Sequence, residues 1–174
     1  KINSVAAGGG SKLIFDNGRF RVGPSSAGAF PGPACYGNGG PLTLTDANLL
    51  LGRIQAKHFP QVFGRSGKER LNMRITKNEF KKLKNSINTK TNYSYSAEEI
   101  AEGFLEVAVQ NMANAVKKIT VERGYDVSSY VISCFGGAAG QHACRVANIL
   151  GIKKIHIHPL SGLLSAYGMG LAKT

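Results

Sequence analysis

The segment that decides the fold is residues 130–158, which read YVISCFGGAAGQHACRVANILGIKKIHIH. Its first residues, from Tyr130 to Phe135, are mostly β-branched or apolar, which is typical of a buried strand. The residues after the glycines have the period of a helix, and Gly151 is the kind of residue that ends one. A second short strand is predicted at 154–158. The segment therefore predicts a strand, a turn, a helix and a second strand.

Five small residues, GGAAG at 136–140, form the predicted turn between strand and helix. Glycine lets the chain turn sharply and lets a ligand approach bare backbone. The N-terminus of a helix also presents free backbone N–H groups, which favour an anion. From the residues alone, two interpretations stay open: a tight turn without a ligand, or a turn that binds an anion.

The composition indicates one globular domain of a longer protein. The 174 residues are 43% hydrophobic, which is enough for a real core. The chain begins at Lys1 without an initiator Met or a leader pattern, so we expect a piece of something longer. No run approaches the roughly 20 apolar residues of a membrane helix. Three cysteines without a framework spacing favour a reducing compartment, and we expect a cytoplasmic protein.

Most of the net charge of +12 comes from residues 65–92. Nine Lys or Arg residues and two Glu residues lie there, so this segment contributes +7. It contains few aromatic residues, whereas nucleic-acid binding uses basic faces with stacking or groove-reading groups. We therefore interpret residues 65–92 as an exposed basic insertion, and we do not expect a nucleic-acid partner.

Asn17-Gly18 between two short strand-like runs predicts a hairpin, because both residues accept positive φ. The next stretch, 22–41, is dense in Gly and Pro, so no helix or central strand is expected to run through it. Its aromatic and Cys residues are unsuited to a flexible linker, so we expect an ordered, packed loop. Cys35 is interpreted as a buried small hydrophobe, since a nucleophile needs a nearby base or helix N-terminus.

A short helix is predicted within residues 43–53, with Thr45 as its N-cap and an end near Gly52. Asp46 then lies in the first turn, where the helix dipole stabilises a carboxylate. The alternative is that Asp46 binds a metal or a substrate. On that alternative, Asp46 is our candidate catalytic residue.

The longest predicted helix begins at a capping box formed by Ser96 and Glu99 and ends at Gly124. Apolar residues follow the box at helical spacing, so we expect them to form core. A further helix, rich in small residues, is predicted at 161–172. Glycine in a helix costs about 1 kcal/mol relative to alanine, so its glycines indicate close packing against another element, either in this chain or outside it.

Two histidines, His156 and His158, lie on one face of the predicted second strand. Such a pair could hold a metal, but no third ligand is spaced to join them. We therefore interpret both as partly buried structural residues and predict no metal site.

Four motifs occur in one order along the chain. They are Gly8-Gly9-Gly10-Ser11, the loop 22–36, Thr45-Asp46-Ala47-Asn48 with Leu51-Gly52-Arg53, and Phe135-Gly136-Gly137-Ala138-Ala139-Gly140-Gln141-His142-Ala143. Together they resemble the hydantoinase A/5-oxoprolinase family, over nearly the whole chain except about 65–92. Ala139 stands where relatives often have Gly, a small change that should leave the turn intact.

The resemblance implies an α/β fold: part of a lobe of an actin-like (ribonuclease H-like) ATPase, with a mixed sheet, flanking helices and an ordered Gly/Pro-rich loop. Residues 1–174 would be a single-domain fragment, the later part of the second of two lobes with ATP in the cleft between them. Gly136, Gly137, Ala138 and Gly140 would contact the adenosine side of ATP. The groups that hold Mg²⁺ and the β- and γ-phosphates would lie outside this chain.

The resemblance also implies an ATP-dependent cyclic amide hydrolase. In the full-length protein, the lactam of 5-oxo-L-proline would be phosphorylated and hydrolysed to L-glutamate, and the isolated chain would be inactive. Alternatives within the family are an N-methylhydantoinase and an ATPase subunit of a ketone carboxylase. An alternative of another class is a non-catalytic actin-like or polyanion-binding module. The implied partners are the cyclic amide, the rest of the parent enzyme and further copies of the full-length protein.

Overall fold

The computed structural model describes residues 5 and 7–172. Its helices and strands are, in chain order, β1 (Ser11–Asp16), β2 (Arg19–Ser26), α1 (Leu44–Leu50), α2 (Met73–Thr91), α3 (Ala97–Val121), β3 (Val131–Cys134), α4 (Ala143–Leu150), β4 (Lys154–Ile157) and α5 (Leu164–Leu171). The chain divides into two compact units, Lys1–Ala108 and Val109–Thr174, and α3 contributes residues to both. This division is finer than the single domain that we expected.

The predicted hairpin is confirmed, since β1 and β2 pair antiparallel across a two-residue loop. Asn17 and Gly18 have φ of 48° and 73°, in the left-handed region that these two residue types tolerate best. β2 continues through Pro24 to Ser26, so the Gly/Pro-rich stretch begins as an extended strand. Proline is compatible with a strand here because a two-stranded sheet has only edge strands.

The Gly/Pro-rich stretch is anchored by buried Cys35. This side chain is fully buried in a cluster with Leu49, Ile54 and Leu71. Its backbone carbonyl also accepts a hydrogen bond of 2.8 Å from the Asn72 N–H. The prediction of a buried small hydrophobe at position 35 is therefore confirmed.

The N-cap of α1 is Thr43, so the prediction of Thr45 was wrong. The Thr43 N–H and hydroxyl donate to the Asp46 carboxylate at 2.9 and 3.0 Å. A capping box joins residues three positions apart. Thr43 has that spacing to Asp46 and Thr45 does not.

The Asp46 carboxylate connects three separate parts of the first unit. It is fully buried and accepts five hydrogen bonds, of which two come from Thr43. The Ala34 and Cys35 N–H groups donate to it at 3.1 and 2.7 Å. The Thr76 hydroxyl, on α2, donates at 3.2 Å. Asp46 thereby joins α1 to the buried end of the Gly/Pro-rich stretch and to α2.

The basic segment 65–92 is largely helical, because α2 occupies most of it. Lys81 and Lys82 are exposed, as we expected of its charged side chains. Phe80 and Ile87, seven residues apart, are fully buried. This segment therefore contributes to a hydrophobic core as well as to the charged surface, and its status as an insertion stays a prediction.

The capping box at the start of α3 is confirmed. The Ser96 N–H donates to the Glu99 carboxylate at 2.7 Å, and the Glu99 N–H donates to the Ser96 hydroxyl at 3.1 Å. Further along α3, Phe104 packs edge-on against Phe20 of β2, with ring centroids 4.8 Å apart. A Cβ at Gly103 would lie 3.3 Å from the Phe20 ring, so glycine permits this close approach.

In the second unit, β3 and β4 pair in parallel and α4 connects them. α3 and α4 supply a buried apolar cluster against which Ile132 and Ile155 of the two strands pack. Val131 and Ile157 remain 52% and 58% exposed. Within the described residues, no third strand joins this pair. The α/β class is confirmed, with its strands in one antiparallel and one parallel pair.

The predicted small-residue helix is present as α5, which follows a 3₁₀ turn at Ser161–Leu163. None of its residues is buried. A Cβ added at Gly168 or Gly170 would meet nothing within 4 Å. The close packing that we expected at these glycines is therefore absent from the part of the chain that the structure describes, and packing against an element outside this chain stays a prediction.

Replacing Asp46 with Asn should lower the free energy of unfolding by about 3 kcal/mol or more. The amide keeps the shape of the carboxylate but has one acceptor atom in place of two, so buried N–H and O–H donors lose their partners. Urea unfolding of this chain, followed by circular dichroism, measures the change.

Asp16→Asn is the matched control. The Asp16 side chain is 52% exposed and lies 3.8 Å from Arg21, so its loss should change stability by less than about 0.5 kcal/mol. Equal losses from the two substitutions would contradict the structural role of the buried carboxylate.

Candidate functional site

Two loops leave the same edge of the parallel strand pair and touch each other. The first contains residues 136–140, the glycine turn, and follows β3. The second contains residues 158–163, the His-Pro loop, and follows β4. The Gly136 N–H donates to the Ser161 carbonyl at 2.8 Å. Ligands of α/β sheets bind where the carboxyl ends of parallel strands meet, so these loops form the candidate site.

The glycine turn brings together all the residues that we predicted to contact a nucleotide. Gly136 has a φ of 88°, which only glycine adopts readily. A Cβ added at Gly136, Gly137 or Gly140 would meet nothing within 4 Å. Ala138 has φ −106° and ψ −20° and leads into a 3₁₀ turn. The backbone of this turn is therefore open to a ligand.

The turn also precedes a helix. The 3₁₀ turn Ala139–Gln141 runs directly into α4, for which His142 is the N-cap. Peptide dipoles aligned along a helix give its N-terminus a partial positive charge. This end of α4 consequently favours a group that carries negative charge.

A mostly apolar cavity of about 240 Å³ adjoins the glycine turn. Its apolar lining includes Met112, Ile132 and Phe135, and its polar lining is Ser133 with His142. Whole small-molecule sites measure roughly 300–1,000 Å³. The cavity is therefore of a size to take one ring of a larger ligand rather than the entire ligand.

Sequence reasoning assigned no site role to the residues that line this cavity, and His142 and Met112 show two different reasons. His142 is only 2% exposed and lies two residues after the glycine turn, so its position near the turn could have identified it. Met112 lies on α3, where its spacing indicated core. No local pattern could place Met112 beside the glycine turn, because packing between distant segments brings them together.

The His-Pro loop begins with a β-turn. The Ser161 N–H donates to the His158 carbonyl at 2.8 Å, and the Leu160 N–H donates to His158 Nδ1 at 3.0 Å. Pro159 occupies the second position, which its fixed φ suits. His158 is half-buried, as we predicted, whereas His156 is exposed.

The candidate catalytic residue Asp46 belongs to the first unit, and the glycine turn belongs to the second. Both Asp46 oxygens are occupied by protein donors, which is a structural role. A catalytic role for Asp46 stays a prediction. Burial, and secondly the charge of Asp46, raises the pKa of the neighbouring Cys35 thiol, so the thiol is protonated and is not an activated nucleophile.

Residues 5 and 7–172 contain neither a candidate metal site nor a candidate membrane-spanning helix. No group of three or more His, Cys, Asp or Glu side chains is placed to hold a metal ion. No helix within the same residues is both long and apolar enough to cross a membrane. Both statements concern only these residues.

Comparison with known proteins gives strong sequence matches. The 5-oxoprolinase of Dictyostelium discoideum is 49% identical over 175 residues, and that of Saccharomyces cerevisiae is 50% identical over 171 residues. Each match covers 98% of this chain but only 14% and 13% of the relative. Caprolactamase subunit alpha of Pseudomonas jessenii is 34% identical, over 99% of this chain and 24% of that protein.

Two solved structures share the fold. The ATP-dependent caprolactamase from Pseudomonas jessenii aligns with a TM-score of 0.80 at 34% identity, over 97% of this chain and 23% of that one. Nucleotide-free acetone carboxylase aligns with a TM-score of 0.78 at 24% identity, over 95% and 22%. These matches confirm the expected lobe of the actin-like ATPase type. The family model described as Hydantoinase/oxoprolinase matches residues 1–174, and the chain therefore belongs to the hydantoinase/oxoprolinase family.

Proposed function

We propose that this chain is part of an ATP-dependent cyclic amide hydrolase of the 5-oxoprolinase type and supplies the adenosine side of its nucleotide site. The observation that carries this proposal is the open glycine turn at the carboxyl edge of a parallel strand pair, next to an apolar cavity. Relatives about 50% identical are named 5-oxoprolinase, and a structural match is described as ATP-dependent. Both points support the same activity.

The residues of the second unit fit an adenosine group. Gly137 and Gly140 leave bare backbone, because no neighbouring atom fills the space of a missing side chain. The apolar cavity beside them would exclude water from the faces of a flat aromatic ring such as a purine. ATP, when bound, supplies the phosphoryl group that turns a lactam oxygen into a better leaving group.

The remaining parts of the reaction belong to polypeptide outside this chain. We propose that Mg²⁺ accompanies ATP and that its ligands, the phosphate-binding groups and the hydrolytic residues lie elsewhere in the full-length protein. The isolated chain would then be inactive. We also propose that the full-length protein is a cytoplasmic homo-oligomer.

The substrate that we propose is 5-oxo-L-proline, because several of the most similar relatives are named 5-oxoprolinase. Caprolactamase, at 34% identity, is also named for a cyclic amide. Acetone carboxylase shares the fold at only 24% identity, which is weaker support for a ketone carboxylase subunit than the matches of about 50% are for a 5-oxoprolinase. No specific observation favours an N-methylhydantoinase or a non-catalytic or polyanion-binding module. The buried face of α2 further argues that the basic segment has a structural purpose.

Asp46 remains a proposed catalytic residue beside its observed structural role. The two roles make different predictions for Asp46→Asn in the full-length protein. A catalytic role requires a loss of turnover in protein that is fully folded. If turnover falls only in proportion to the amount of folded protein, Asp46 has a structural role and no catalytic role.

Gly137→Val in the full-length protein should raise the KM for ATP at least about tenfold, which corresponds to about 1.4 kcal/mol. The branched side chain would block the approach of the nucleotide to the backbone. The protein should still fold, because a Cβ at Gly137 meets nothing within 4 Å. Steady-state kinetics with varied ATP and a thermal-unfolding measurement test both parts.

Lys153→Val is the control for Gly137→Val. Lys153 is exposed and directly precedes β4. Its substitution therefore places the same valine side chain at the opposite end of the strand pair from the glycine turn. Its KM for ATP should be unchanged. An unchanged KM in folded Gly137→Val protein would contradict the proposed nucleotide contact.

Calorimetry with Mg-ATP and Mg-ADP should detect binding to the full-length protein and none to this 174-residue chain. The reason is that the groups proposed to hold the phosphates lie outside the chain. An absence of binding to the full-length protein would remove the ATPase proposal.

An assay of the full-length protein should show ATP hydrolysis that depends on 5-oxo-L-proline and releases L-glutamate in equal amount. Hydantoins, and ketones with bicarbonate, are the comparison substrates and should give much lower rates. A higher rate with hydantoins would identify an N-methylhydantoinase instead, and a higher rate with ketones would identify a ketone carboxylase subunit.

A further inference from the structure

We propose that His158 is a positioning residue for the nucleotide site: its Nδ1 atom shapes the His-Pro loop, and the loop in turn holds the glycine turn in place. This inference rests on the proposed function, since it assigns His158 to the same site. His158 itself need not touch the nucleotide.

The first step is the local effect of His158 on its own loop. In a type I turn, Asp, Asn and Ser are favoured at the first position, where Asx and Ser side chains can accept a hydrogen bond from the backbone N–H two residues later. His158 Nδ1 accepts such a bond from the Leu160 N–H at 3.0 Å. The His158 carbonyl also accepts from the Ser161 N–H at 2.8 Å. Together these bonds define the conformation of the loop up to Ser161.

The second step is the contact between the two loops. The Ser161 carbonyl, which this turn orients, accepts the hydrogen bond from the Gly136 N–H at 2.8 Å. Gly136 is the first residue of the glycine turn. The position of the Ser161 carbonyl therefore determines where the glycine turn begins.

The third step is that the three glycines of the turn add no side-chain packing, so only Ala138 and Ala139, which are half-buried, pack there. Gly136, Gly137 and Gly140 have no side chains, and the space beside each is empty to 4 Å. A segment with so few contacts depends strongly on its individual hydrogen bonds. The bond from Gly136 to Ser161 is thus a main determinant of the conformation that would receive the nucleotide.

The test compares three variants of the full-length protein: His158→Leu, His158→Asn and the control His156→Leu. Leucine removes the acceptor atom, whereas Asn Oδ1 can accept from the Leu160 N–H as in an Asx turn. The control removes a neighbouring exposed histidine of the same strand face. The measurements are KM for ATP, kcat, and backbone hydrogen exchange of peptides that cover the glycine turn.

We expect His158→Leu to raise the KM for ATP roughly two- to tenfold, the effect of losing one hydrogen bond that favours the binding conformation. The kcat should change little, because the interaction acts on binding. Hydrogen exchange of the glycine turn should become faster. His158→Asn should restore both the KM and the exchange rate, and His156→Leu should leave both unchanged.

Three results with the variants would overturn the inference alone, and a fourth would remove the proposed function with it. An unchanged KM in His158→Leu would show that the acceptor has no effect on the site. An equal defect in His158→Asn would assign the effect to the size of the imidazole ring, not to its acceptor. A defect of the same size in His156→Leu would indicate a general disturbance of β4. Absence of nucleotide binding by the unsubstituted full-length protein would remove the proposed function and this inference together.

Discussion

Parallel pairing of β3 with β4 is the constraint on which the candidate site depends. A parallel pair needs a crossover connection, and α4 supplies it. Since both strands run in one direction, the loops after Cys134 and Ile157 leave the same edge. In an antiparallel pair joined by a hairpin, these loops would lie at opposite ends, and the Gly136 N–H could not reach the Ser161 carbonyl.

The first unit depends in a similar way on one buried carboxylate. Asp46 accepts hydrogen bonds from residues that are up to thirty positions away in sequence. A buried charge is tolerated only when its oxygens are fully hydrogen-bonded, and the Ala34, Cys35, Thr43 and Thr76 donors meet that need. The sequence around Asp46 is thus compatible with a structural role and with a catalytic role. Only the hydrogen-bond donors that surround the carboxylate in the fold distinguish the two roles.

Features encoded by neighbouring residues could be predicted from the sequence, and features that depend on distant contacts could not. The Asn17-Gly18 hairpin, the Ser96 capping box and the end of α4 at Gly151 follow from local backbone preferences. Thr43 and Thr45 are both acceptable N-caps by type. The three-residue spacing of a capping box to Asp46 decides for Thr43, and this spacing was already readable in the sequence. In the site, the glycine turn was visible in sequence, whereas Met112 reaches the cavity only through the packing of α3.

The open strand pair has a consequence for handling this chain by itself. Parallel sheets are normally covered on both faces and a two-stranded sheet is marginal, yet Val131 and Ile157 are more than half exposed. Exposed strand edges and apolar side chains favour pairing with another chain. The isolated chain is therefore expected to self-associate through this strand pair.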